Sequence, residues 1–250
     1  MSRALVAGAL ALTLALGGCA GSGGRSVRTA SEYDASTQGR TIAVRFVGDD
    51  GPTVLVIGGI HGSEPEGLLP TKSLVRWLET EPMRARFVIV EDLNPDGSAV
   101  LARTNARGVD LNRNWPASNF RASSTNGSMP LSEVETRFGD DLIRRVEPTL
   151  VIVLHSITTG PFVNHDGPAR DLAAIFAEAA YGADRRHRWD VKHEMGYETP
   201  GSIGSYLGVD RGVAVLTVEF DRGHPEPDAT AALIAGVEAV VGEVIRRREN

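Results

Sequence analysis

Cysteine is almost missing from this chain: Cys19 is the only one in 250 residues, which excludes an intrachain disulfide. Basic charge is not in excess either. Lys and Arg number 26 against 32 Asp and Glu, a formal net charge of −6 that leaves no electrostatic footprint for nucleic acid. No internal repeat and no block of like charge divides the chain, so its length suits one medium domain. The apolar run Ala4 to Leu16 is too short to span a bilayer permanently. What remains is ordinary for a globular protein, 42% apolar and 23% charged. The 28 glycines and 13 prolines suit a loop-rich α/β fold.

The first residues read as a targeting segment. Arg3 is a minimal basic n-region, Ala4 to Leu16 an apolar h-region, and Leu16-Gly17-Gly18-Cys19 follows. That ending resembles the lipobox of bacterial lipoproteins, in which the cysteine is acylated and becomes the mature N-terminus. An ordinary secretory signal with an incidental cysteine is the alternative. Ala20 to Thr29 is rich in Gly and Ser and reads as a flexible tether.

From Thr41 onward strand and helix patterns alternate. Thr41–Val47 alternates apolar and polar residues as a half-buried strand does, and Thr53–Ile57 is a continuous apolar run bounded by Gly-Pro and Gly-Gly. Helical spacing predicts a helix over Gly67–Leu78, followed by a strand at Arg86–Glu91 and a turn at Asn94-Pro95-Asp96-Gly97. Residues 98–130 lack periodicity, and a loop of that length in a compact domain is uncommon unless functional. A helix is expected over Leu131–Val146, capped by Ser132 with Glu135 three residues on. A strand at Leu150–Leu154, a helix at Gly167–Ala180, a strand at Gly212–Phe220 and a helix at Pro227–Arg247 complete the series. Such alternation predicts a single α/β domain with a largely parallel central sheet, helices on both faces and ligands at the strand ends.

Four residues stand at the ends of apolar runs. His61 and Glu64 lie in HGSEPEG after one strand, His155 closes VIVLHS, and Glu219 lies in VLTVEF. A His-x-x-Glu pair with a remote histidine offers zinc three ligands and leaves one position open, and a fourth carboxylate can then move protons. The pattern points to a zinc hydrolase of amide bonds.

The order HGSEPEG, NPDG, GVDLNRNWP, LHS and VEF, over about residues 50–225, resembles the zinc carboxypeptidases of the carboxypeptidase A type. Within that family the chain resembles a short bacterial branch of murein-peptide amidases. The carriers are the short NPDG-to-NRN interval, Asn164-His165-Asp166-Gly167-Pro168-Ala169 and Gly196-Tyr197-Glu198-Thr199-Pro200-Gly201-Ser202. The resemblance implies a mixed, mostly parallel sheet and one Zn2+ per chain on His61, Glu64 and His155. It makes Glu219 the general base and acid, and Arg103 the residue that polarises the scissile carbonyl, with Arg107 as a competing candidate. Asn112 and Arg113 are similar to the pair that holds a terminal carboxylate. Asp110 is similar to the acid that orients a ligand imidazole, here His61. Tyr197 resembles a mobile tyrosine over the leaving residue, although a packing tyrosine fits as well.

Among the other histidines, His187, His193 and His224 read as surface or supporting residues, and His165 as the one within reach of substrate. Trp77 and Phe87 read as core, and Trp115 as packing beside the site. Ser156-Ile157-Thr158-Thr159 departs from the family pattern and leaves the pocket lining open.

The branch resemblance and the anchor together imply a division into signal peptide 1–18, acylated Cys19 with tether 19–39, and catalytic domain 40–250. They imply a membrane-anchored lipoprotein of the cell envelope, facing the periplasm, that acts on stem peptides of the wall at γ-D-glutamyl–diaminopimelate bonds or at a C-terminal residue. Ala20 is not the Asp associated with inner-membrane retention, which favours the outer membrane. Two other classes share features with the chain: a zinc deacylase of N-acyl amino acids, and a non-catalytic binder of wall peptides.

Overall fold

The computed structural model describes residues 27–249. The expected signal segment 1–18 and Cys19 lie outside them. Eight strands form one sheet: β1 (Thr29–Ala35), β2 (Thr41–Val47), β3 (Thr53–Ile57), β4 (Arg86–Val90), β5 (Leu150–Ile157), β6 (Phe162–Asp166), β7 (Asp190–Lys192) and β8 (Ala214–Asp221). Their order is β1-β2-β4-β3-β5-β8-β6-β7. The central run β4-β3-β5-β8 is parallel, as is β6 with β7, whereas β1–β2, β2–β4 and β6–β8 pair antiparallel. The sheet is therefore mixed, with a parallel centre, as expected.

The apolar runs explain the centre. Every residue of β3 is buried, because both faces of a parallel central strand are covered by helices. Val54 and Val56 turn to one core and Leu55 and Ile57 to the other. The first core lies under α1 (Pro70–Thr80), α4 (Arg170–Ala183) and α5 (Glu226–Glu249). The helix α5 contributes Leu233, Val237, Val240 and Val244 at helical spacing. A Cβ at Gly236 would meet the Phe176 ring at 2.5 Å, so glycine permits the close approach of α5 to α4. The second core lies under α3 (Val134–Val146) and the segment around Leu111, Trp115 and Tyr206. Trp115 is fully buried and stacks on Tyr206, packing beside the site as expected; Phe87 is core, and Trp77 packs against the first core only partly buried.

Several expectations are corrected. Part of the segment 19–39 is strand β1, whose turn into β2 is tied to the domain by Asp96, which accepts from Ser36 Oγ, Gln38 N and Arg40 Nη1. Asn94-Pro95-Asp96-Gly97 opens a short helix, α2 (Pro95–Val100), with Asn94 accepting from Gly97 N as its cap. Pro70, not Gly67, opens α1. Ser132 does not cap α3, because its hydroxyl accepts from Asn114 Nδ2 and donates to Glu133. Glu135 instead accepts from Thr37 N and Asn105. The strands β6 and β7 were not legible as strands.

The long segment after α2 is organised around the buried Asn114. Its amide donates to Asn126 O, Met129 O and Ser132 Oγ, and its Oδ1 accepts from Glu133 N and Thr136 Oγ1. A chain of about thirty residues thus forms a wall rather than a free loop.

Candidate active site

Between β3 and β5 the winding reverses. The chain leaves β3 through α1 to β4 on one side, while β5 pairs on the other. Such a switch point opens a crevice at the carboxyl ends of the strands. His61 lies just past the end of β3, and His155 and Glu219 lie near the ends of β5 and β8, where they form one register pair.

Local turns bring Glu64 to the same place. Glu64 N bonds to His61 O, and a 3-10 turn, Pro65–Gly67, follows. A Cβ on Gly67 would stand 2.6 Å from Leu154 O and 3.0 Å from His155 Cα, so this loop rests directly on β5. Glu64 Oε2 then accepts from Ser156 N and lies 2.9 Å from His155 Nδ1. Its Oε1 lies 2.9 Å from His61 Nδ1, and the two Nδ1 atoms are 3.1 Å apart. All three residues are buried, and one donor atom from each lies within 4.8 Å of the others.

This donor set fits a zinc ion. Two imidazoles present Nδ1 to one point beside a carboxylate, and the far nitrogens are held from behind. Asp110 Oδ1 meets His61 Nε2 at 2.9 Å, and Asn112 Nδ2 meets His155 Nε2 at 3.2 Å. Burial opposes ionisation of Glu64, but hydrogen bonds from His155 and His61 outweigh it and hold the carboxyl far below its ordinary range. Asp110 is lowered in the same way, against burial, by His61 and Arg103. Both carboxylates therefore stay charged, as a divalent cation requires.

Around the donors lies a cavity of about 700 Å³, whose lining includes His61, Glu64, His155, Glu219 and Arg103. Glu219 is buried, and that burial, with the nearby charge of Glu64, raises its pKa, opposed by His155 and by the arginines. Arg103 donates to Asp110 Oδ2 at 2.9 Å and to Glu64 Oε1 at 3.1 Å. Arg107 turns away and pairs with Glu133, so of these two candidates the structure brings Arg103 to the cavity. Arg113 and Tyr197 line the cavity, the tyrosine half exposed. Asn112 lines it too, but both ends of its amide are engaged, with His155 and with Ile203 N, so it positions a ligand more than it offers free donors.

Arg222 and Thr217, which line the cavity, escaped the sequence reading, and Asp166 and His193, both noted in the sequence, had been given no place at the site. Arg222 follows Glu219 by three residues, donates to Ser63 O and lies 3.6 Å from Glu64 Oε1. A charge just past a strand-end acid was the available signal. Asn164 and Asp166 face the cavity while His165 between them does not, because side chains alternate along β6. His193, not His165, is thus the histidine within reach of a ligand. His224, expected near the surface, is buried, and His187 is partly buried.

The match to the family model for zinc carboxypeptidases spans residues 27–205. The chain belongs to the zinc carboxypeptidase family. Among relatives of this zinc carboxypeptidase-family protein, murein peptide amidase A of Escherichia coli strain K12 is 31% identical over 182 residues, covering 66% of this chain and 70% of that one. Its structure is similar to murein-tripeptide amidase MpaA from Escherichia coli O157, with a TM-score of 0.66 and 25% identity over 84% of this chain and 91% of that one. Carboxypeptidase A from Helicoverpa armigera shares the fold, with a TM-score of 0.73 at 18% identity, over 86% of this chain and 68% of that one. The protein is a hydrolytic enzyme, which removes the non-catalytic binder from consideration.

Proposed function

We propose that this enzyme is a zinc-dependent murein-peptide amidase that cleaves the γ-D-glutamyl–diaminopimelate bond. One observation carries the reading: a single cavity is lined by the three donors, Glu219, Arg103, Arg113 and Asp166 together. When bound by His61, Glu64 and His155, zinc supplies Lewis acidity and lowers the pKa of water. Glu219 takes the proton from the attacking water and delivers it to the leaving nitrogen, which its buried, moderately basic carboxylate suits. Arg103 donates to the amide oxygen as negative charge develops there, and its ties to Asp110 and Glu64 fix the guanidinium in advance.

The substrate class follows from the charges on the wall. Arg113 grips the carboxylate beside the scissile amide. Diaminopimelate also carries an ammonium at the far end of its side chain. Asp166 makes no ion pair among the described residues, and burial raises its pKa, with only His193 opposing, so a cation is what it lacks. Ordinary aliphatic or aromatic C-terminal residues offer none. Incubation with L-Ala-γ-D-Glu-diaminopimelate tests the reading by release of free diaminopimelate. Absence of that product, together with cleavage of ordinary C-terminal residues, overturns it.

We further propose that Cys19 carries the lipid that holds the enzyme in the envelope, with the outer membrane as its site. Incorporation of labelled fatty acid into the expressed chain, lost in Cys19→Ser, is the expected result; equal labelling of both chains counts against it.

A further inference from the structure

A second group of metal-ligating side chains lies outside the cavity, where the end of α4 meets the turn between β8 and α5. Asp184 is the C-terminal cap residue of α4, His187 follows one turn later, and His224 sits three residues past the end of β8. Asp184 Oδ2 lies 3.1 Å from His187 Nδ1 and 2.8 Å from His224 Nε2, and one donor from each of the three residues lies within 4.8 Å of the others. Tetrahedral zinc with ligands about 2.0–2.2 Å away holds its donors about 3.3 Å apart, close to these spacings.

Hydrogen bonding accounts poorly for the arrangement. His224 is buried, yet neither of its ring nitrogens makes a hydrogen bond among the described residues. Its Nε2 approaches Asp184 Oδ2 closely but without the alignment that N–H···O bonding needs. A buried ring nitrogen without an aligned hydrogen bond costs free energy unless something else meets its lone pair.

The surroundings complete the picture. Asp184 keeps its other oxygen engaged by Arg186 N, which orients the carboxylate. Phe220 meets the His224 ring edge-on at 5.8 Å, and Trp189 packs at 6.3 Å, so apolar walls close the inner side. His187 is about one-third exposed, which leaves an outer position open to water.

We propose that Asp184, His187 and His224 form a second divalent transition-metal site, of zinc type, distinct from the three donors in the cavity. Two imidazoles, one carboxylate and an open position suit zinc, and exclude a preference for calcium or magnesium. The site would cross-link the α4–β7 connection to the β8–α5 turn. That turn also carries Arg222, which lines the cavity, and Gly223, whose N–H donates to Glu66. A metal there would therefore brace one rim of the cavity without touching the reacting atoms.

Metal stoichiometry decides the matter. The metal-stripped protein is titrated with Zn2+ against a chromophoric chelator, alongside His187→Ala and the double variant His61→Ala/His155→Ala. His187 is the most exposed of the three, so its replacement leaves the core packing intact. Two equivalents are expected for the parent protein and one for each variant, with His187→Ala retaining hydrolytic activity once reloaded. A zinc stoichiometry that is the same in the parent and in His187→Ala overturns the proposal. Failure of the cavity donors would show instead as one equivalent in the parent that the double variant keeps and His187→Ala loses, so the two sites are judged separately.

Discussion

At Glu219 the exchange of one oxygen for nitrogen separates proton transfer from metal binding. Glu219→Gln keeps the size and burial of the side chain and leaves the three donors alone. It is expected to lower kcat by about 10²–10⁴-fold while zinc content measured by elemental analysis stays unchanged. A second residue, Asp92, links charge to stability. Burial pushes its carboxyl up to about 6, against hydrogen bonds from Ser98 and Asn94 N. The folded state thus holds this proton more tightly than the unfolded chain, and stability is lost as pH rises from the ordinary carboxylate range through about 6. Asp92→Asn should raise Tm at pH 8 and change it little at pH 4; equal shifts at both would exclude this cause. Residues of these kinds differ in how well a sequence marks them. His61, His155 and Glu219 close apolar runs, so their placement at strand ends was legible. Arg222 carried only the weak signal of a charge just past a strand-end acid, and Asp166 stood in a motif that gave it no role, so the folded neighbourhood was needed to place both at the cavity.

Among the elements, the contact between the His61–Gly67 loop and β5 governs the site most directly. Gly67→Ala would drive a Cβ against Leu154 O, a backbone atom that cannot swing aside. The loop must then lift, taking Glu64 away from His155. Weaker zinc retention in a chelator competition and at least a tenfold drop in kcat/KM are expected, on the order of 1.4 kcal/mol; unchanged zinc affinity would show that the loop yields elsewhere. The central strands and α5 were readable because continuous burial or helical spacing leaves a periodic trace. The strand β1 was read as tether, since TASEYDA is polar and pairs only at the sheet edge. The start of α2 was read as a turn, because Asn-Pro-Asp-Gly serves equally as a capped helix entry. Three-residue β7 is too short for any pattern to register.

For the molecule as a whole, the sheet is both scaffold and ruler. His155 and Glu219 share one rung of the β5–β8 ladder, so their spacing is set by the separation of neighbouring strands, about 4.8 Å, and not by the posture of any loop. Gentle heating that agitates the outer connections should leave that interval untouched. Residual hydrolysis and far-UV circular dichroism, followed along one temperature ramp, are expected to fall together; activity that vanishes while the dichroism persists would contradict this. It also follows that substrate preference can be remodelled through the connections around the crevice, because the distance on which proton transfer depends is written into backbone pairing that such changes never reach.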